Sequence, residues 1–99
     1  MNREYPELGQ LIGAWFHEDY DGESIAEAVA EYAQAGPETV AKALAQADDA
    51  IGRDFDEERL HDLFVRHGCS TKPSSVATYS EFLTELRGAL DAEAQRARP

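Results

Sequence analysis

The residues of this chain best suited to metal or nucleophilic chemistry are its three histidines and its single cysteine, which fall at His17, His61, His67 and Cys69. A zinc site needs three or four such ligands converging at workable spacing. His61 and His67 are six apart and miss the i, i+4 spacing that lets two imidazoles on one helix face share a metal. The stretch His17-Glu18-Asp19 with Asp21 is the other candidate. A calcium loop counted from Asp19 places Asp21 correctly at its third position. It then has Glu23 at the fifth, Ser24 where the turn needs glycine, and Ala30 where a bidentate carboxylate should close the shell. Neither pattern completes a site, so no metal is expected.

Cys69 follows a histidine by two residues, but it lies just past a helix carboxy terminus, whose negative end disfavours a thiolate. As the only cysteine it can form no internal disulfide. Gly9, Gly13 and Gly22 do not have the spacing of a phosphate-cradling loop, and the lysine of such a loop is missing. Adjacent carboxylates are common because 20 of the 99 residues are acidic, so a pair by itself does not identify an acid/base site. No catalytic, cofactor-binding or metal-binding residue is assigned, and the chain is not expected to be an enzyme. A small hydrolase using Cys69 or a carboxylate pair ranks below every binding function.

The charge is more informative. Twenty acidic residues against nine basic ones give a formal net charge of −11. So small and negative a body repels nucleic acid and anionic membrane, both of which require Lys and Arg at the contact, and it suits a basic macromolecule. Glu23, Glu27 and Glu31 recur every four residues and stack like charges along one helical ridge, at a penalty of about 0.2–0.5 kcal/mol per pair. Asp48, Asp49 and Asp54, with Asp56, Glu57 and Glu58, form a second cluster. A mildly repulsive ridge can steer a cationic partner. The expected contact residues are therefore Glu23, Glu27, Glu31, Asp48, Asp49 and Asp54, with Tyr20 as an aromatic anchor. The acids also serve solubility, and Glu57 and Glu58 suit the positive end of a helix.

These residues must be positioned by helices, because the apolar positions repeat with a helical period throughout. Leu8, Leu11, Ile12, Trp15 and Phe16 make the stripe of a helix over 6–17, opened by Pro6 and Glu7. Ser24 and Glu27 have the form of a capping box for a second helix carrying Ile25, Ala28, Val29, Tyr32 and Ala33. Gly36-Pro37 ends that helix and starts the third, a tight join that predicts an antiparallel pair. Val40, Leu44, Ala47 and Ile51 form the third stripe. Asp56 caps a fourth helix with Phe55 placed to staple onto Leu60, and Leu60, Leu63, Phe64 and His67 line it. After a loop over 70–77, Thr78 and Glu81 cap a fifth helix carrying Tyr79, Phe82, Leu83, Leu86 and Leu90. The tail from Glu93 is expected to fray. No strand alternation or internal repeat is present. The expected fold is all-α, a single-domain bundle of about five short amphipathic helices with its core over 5–92. No apolar run has the length of a secretory signal or a membrane span, so a cytoplasmic protein is expected.

The opening of the chain, Tyr5-Pro6-Glu7-Leu8 followed by Trp15-Phe16-His17-Glu18-Asp19-Tyr20, resembles that of contact-dependent growth inhibition immunity proteins. The likeness continues through Gly36-Pro37, Gly68-Cys69 and Tyr79, Phe82 and Leu83, so that it spans Tyr5 to Leu90. Tyr20 departs from the tryptophan more usual there. The resemblance implies a small helical cytoplasmic antitoxin that binds and blocks the carboxy-terminal toxin domain of a large secreted effector as a 1:1 heterodimer. Many such toxins are nucleases with basic surfaces, which the acidic chain would complement. It fixes no binding residue. The rival reading is an acidic nucleic-acid mimic or regulatory adaptor that binds a basic host protein.

Overall fold

Residues 5–16, 25–67 and 76–96 are described by a computed structural model, and every regular element among them is helical. α1 spans Pro6–Trp15, α2 Ile25–Tyr32 with a 3₁₀ turn at Ala33–Ala35, α3 Pro37–Gly52, α4 Glu57–Arg66 and α5 Tyr79–Arg96. The helical bundle expected from periodicity is the fold. Its radius of gyration, 12.4 Å, is close to the about 13 Å of a compact chain of this length.

α5 is the central element and packs against α3, α2 and α4, while α1 lies mainly on α3. α2 and α3 make little direct contact. The 3₁₀ turn after α2 touches α3, and both helices use α5 as their main support. Gly36 explains the parting of the two chains. Its φ of +121° is open to glycine and strained for other residues, and Pro37 then enters the next helix in its first turn.

A three-ring stack forms the centre. Phe82 stacks on Phe64 with centroids 4.7 Å apart at 19°, and meets Phe16 edge-on at 5.0 Å and 77°. All three are essentially inaccessible, as are Leu8, Leu11, Ile12, Leu86 and Leu90. Burying such aromatic and aliphatic side chains is the main favourable term in folding. Trp15, expected in the core, is only partly buried and lies edge-on to Tyr32 at 5.6 Å.

Two stripes are displaced from expectation. α3 buries Val40, Ala43, Ala47 and Ala50, leaving Leu44 half-covered and Ile51 40% exposed. Three alanines let α3 lie close to α1 and α5, a spacing that the bulk of Leu44 and Ile51 would prevent. α5 continues to Arg96 instead of fraying at Glu93, and an Arg96–Glu93 ion pair of 3.0 Å spans its last turn. α1 ends at Trp15; His17, the Ser24 half of the first capping box and most of the 70–77 loop lie outside the described residues.

The caps combine local and long-range bonds. Asp56 Oδ1 accepts from the Arg59 N–H at 2.9 Å, and Thr78 Oγ1 accepts from the Glu81 N–H at 3.0 Å. The Glu81 carboxylate reaches back to the Ala77 N–H at 2.8 Å, completing the box one residue early. At α1, Tyr5 has a left-handed backbone (φ 59°) and offers no side-chain cap. Gln46 of α3 takes that role: its Oε1 accepts from the Leu8 N–H at 3.0 Å and its Nε2 donates to the Glu7 carboxylate.

Gly9 and Gly13 are explained by α4. A Cβ on Gly9 would lie 2.3 Å from His67 Nδ1, and one on Gly13 would lie 2.6 Å from the His67 carbonyl oxygen. Alanine at position 13 should therefore destabilise the protein by about 1–2 kcal/mol, because the clash exceeds the gain in helix propensity. Gly88, with open space around its Cα, should behave oppositely. There Gly88→Ala is expected to stabilise by about 0.5–1 kcal/mol. Urea unfolding of the two variants should give shifts of opposite sign, and equal signs would contradict the packing of His67 on α1.

Candidate functional site

The acids singled out in the sequence do not form one patch. Glu27 and Glu31 are exposed on α2, and Glu27 lines a shallow groove with Ala89, Ala92, Glu93 and Arg96 of α5. Asp48 of α3 meets the opposite flank of α5, where its Oδ1 accepts from Arg87 Nε at 2.7 Å. Arg87 and Ala89 are about 200° apart around a helix axis, so α5 separates the two acidic groups. Tyr20 and Glu23 lie outside the described residues.

Asp48 and Asp49 are tied into the fold. Asp49 Oδ2 accepts from the Tyr5 hydroxyl at 2.7 Å and from Arg53 Nε at 2.9 Å. These bonds, with that from Tyr5 the stronger influence, hold its carboxyl below the usual carboxylate range. The stability this adds is present at neutral pH and lost as pH falls through the depressed value. Asp49 thus fastens the strained Tyr5 to α3, a role its sequence position does not reveal.

Glu57 is also a structural residue. Its Oε2 accepts from the Tyr79 N–H at 2.9 Å and its Oε1 from the Ser80 N–H at 2.7 Å. A carboxylate in the first turn of α4 therefore caps α5 as well, so the positive ends of two helices share one negative charge.

Tyr32 is a third tie, with its hydroxyl donating to the Glu7 carbonyl at 3.0 Å. Burial, and next the nearby Glu7 charge, push its phenol up to about 12. A raised folded-state value contributes stability that is complete below the ordinary phenol value of 10.0 and lost as pH rises toward about 12. Urea midpoints at pH 9 and pH 11 should therefore differ less in Tyr32→Phe than in the wild type. An equal pH dependence in both would count against this burial.

What remains free is the corner where α3 turns into α4. Ile51 projects there as a large apolar side chain, Asp54 is exposed with a left-handed backbone (φ 53°), and Phe55 is partly covered. Small recesses lie on both sides of Phe55. One is shared with Ile51, Asp54, Ser80 and Thr84, and the other with Arg59, Asp62, Leu63 and Arg66. An apolar and aromatic centre rimmed by charge is the composition of a protein-binding hot spot. Sequence reading assigned Ile51 to the core and Phe55 to a staple. The one available signal was that Ile51 falls in the last turn of its helix, beside Gly52.

The two described histidines have separate surroundings. His61 packs edge-on to Tyr79 at 5.2 Å, His67 lies against α1, and Cys69 is outside the described residues. Among the described residues no group of three or more His, Cys, Asp or Glu side chains is placed to hold a metal ion. No helix among them is long and apolar enough to cross a membrane.

Residues 4–90 fit the family described as CdiI immunity protein. No curated protein and no solved structure matches the chain.

Proposed function

Because the chain belongs to the CdiI immunity protein family, we propose that it acts in the cytoplasm as a monomer. It forms a 1:1 complex with the carboxy-terminal toxin domain of its cognate effector and docks on a basic toxin surface through the α3–α4 corner. A nuclease is the toxin class that best fits this chain, since a surface built to hold phosphates is basic and the chain carries a net charge of −11. The observation that carries the choice of surface is Ile51, 40% exposed at a helix end and flanked in sequence by Asp48, Asp49, Asp54 and Asp56.

The two kinds of residue divide the work. Exposed carboxylates raise the rate of encounter with a cationic face. Ile51 and Phe55 supply the apolar burial that slows dissociation. Among the described residues the Asp54 carboxylate has no hydrogen-bond or ion-pair partner and contributes its full charge, whereas Arg87 and Arg53 offset much of the field of Asp48 and Asp49. Glu27 and Glu31 on α2 supply further steering charge, as does Glu23, and Tyr20 is an additional aromatic contact.

The test uses the purified chain and the carboxy-terminal toxin domain of its cognate effector. Mixing should give a 1:1 complex by light scattering and abolish the toxin's nuclease activity, and association should slow as salt is raised. No complex would reject neutralisation by binding. An association rate independent of salt would reject the basic docking face.

A further inference from the structure

The recess on the far side of Phe55 carries the opposite charge to the rest of the molecule. Arg59, Asp62 and Arg66 stand at i, i+3 and i+7 of α4, spacings that share one helix face, and they line the recess with Phe55 and Leu63. The Arg59 guanidinium lies over the Phe55 ring, 5.2 Å from its centroid. Such stacking holds the planar group in one orientation and dries one of its faces.

With 20 acids and nine bases in the chain, arginines have carboxylates in abundance to pair with. Arg53, Arg87 and Arg96 do so. Among the described residues, Arg59 and Arg66 form no ion pair, although Asp62 lies three residues after one and four before the other. Two guanidinium groups thus line one recess without an ion pair to the carboxylate it contains, that of Asp62.

We infer that this recess receives a carboxylate side chain of the toxin domain. The inference rests on the immunity reading above and names the chemistry of one contact within it. Guanidinium and carboxylate form short, charge-assisted, often bidentate bonds, and an orientation fixed beforehand lowers the entropy lost on forming them. The surrounding negative field repels a free anion. A carboxylate enters only as part of a surface whose cations meet Asp54, Asp56 and Glu58 in the two turns before the recess. A basic surface with an acid at the matching place is accepted, and a uniformly basic one leaves the two arginines facing cations. The recess therefore sets specificity within an interface whose encounter rate is set by the acids.

Signs of the effects decide the matter. Affinity for the purified toxin domain is measured by calorimetry for wild type, Arg66→Gln, Arg59→Lys and Asp62→Asn. The expected result is at least about tenfold weaker binding for Arg66→Gln, a smaller loss for Arg59→Lys, and tighter binding for Asp62→Asn, which removes the competing carboxylate. Arg66 forms no internal bond among the described residues, so its replacement should leave the melting temperature unchanged. Wild-type binding with Arg66→Gln unaltered or tighter overturns the recess and leaves the immunity reading standing. Absence of wild-type binding overturns both.

Discussion

A chain carrying Ile51→Lys together with Asp54→Asn should fold as the wild type does and lose its grip on the toxin domain by about 100-fold or more. The pair exchanges the exposed apolar anchor for a cation and removes one anion, so a basic docking face meets repulsion where it met attraction. The substitutions suit the local backbone. Lysine is a good helix former and favours the negative end of α3, and asparagine tolerates the left-handed conformation found at position 54. Thermal melting and calorimetry with the toxin domain separate the two effects. In cells expressing the toxin, the variant should no longer protect growth. Affinity within about threefold of wild type, about 0.65 kcal/mol by the usual conversion, would exclude the α3–α4 corner as the docking surface.

Phe82→Ala should have the largest effect on the fold itself. Phe82 joins three elements: it stacks on Phe64 of α4, meets Phe16 after α1 and belongs to the central α5. Removing a fully buried phenyl ring costs about 3–5 kcal/mol, against a total stability of about 5–15 kcal/mol for a domain. The melting temperature should fall by about 15–30 °C, and at the low end of stability the chain would unfold at ambient temperature. Phe82→Leu, which fills most of the space, should lose less than half as much. Circular dichroism during urea unfolding checks both. A loss under about 1.5 kcal/mol for the alanine variant would mean that the neighbouring helices close over the hole.

The acidic residues differ in their structural roles. Glu57 holds α5, Asp49 holds Tyr5 and Asp48 holds Arg87. Asp54 carries no such bond among those described. A set of carboxylates that looks uniform in composition thus contains structural ties and free charges, and only the free ones are well placed to act on a partner.

The sequence alone was enough to place the helices and the family, because the interactions involved are local. A 3.6-residue period puts Leu8, Leu11, Ile12 and Phe16, or Phe82, Leu83, Leu86 and Leu90, on one side of a helix wherever that helix later packs. Asp56 and Thr78 reach N–H groups only three residues away, and Gly36-Pro37 breaks one helix and begins another through its own dihedral angles. Partner choice between helices needed the tertiary structure, because it depends on contacts between residues far apart in the chain that no local pattern encodes. Close approach selected Ala43, Ala47 and Ala50 for the buried face of α3 and turned Ile51 outward to become the candidate anchor. It made Gly9 and Gly13 necessary under His67, and gave Gln46 and Glu57 helix ends to cap that are not their own. It also left Arg59 and Arg66 lining one recess, in a chain whose composition suggested only that it was acidic.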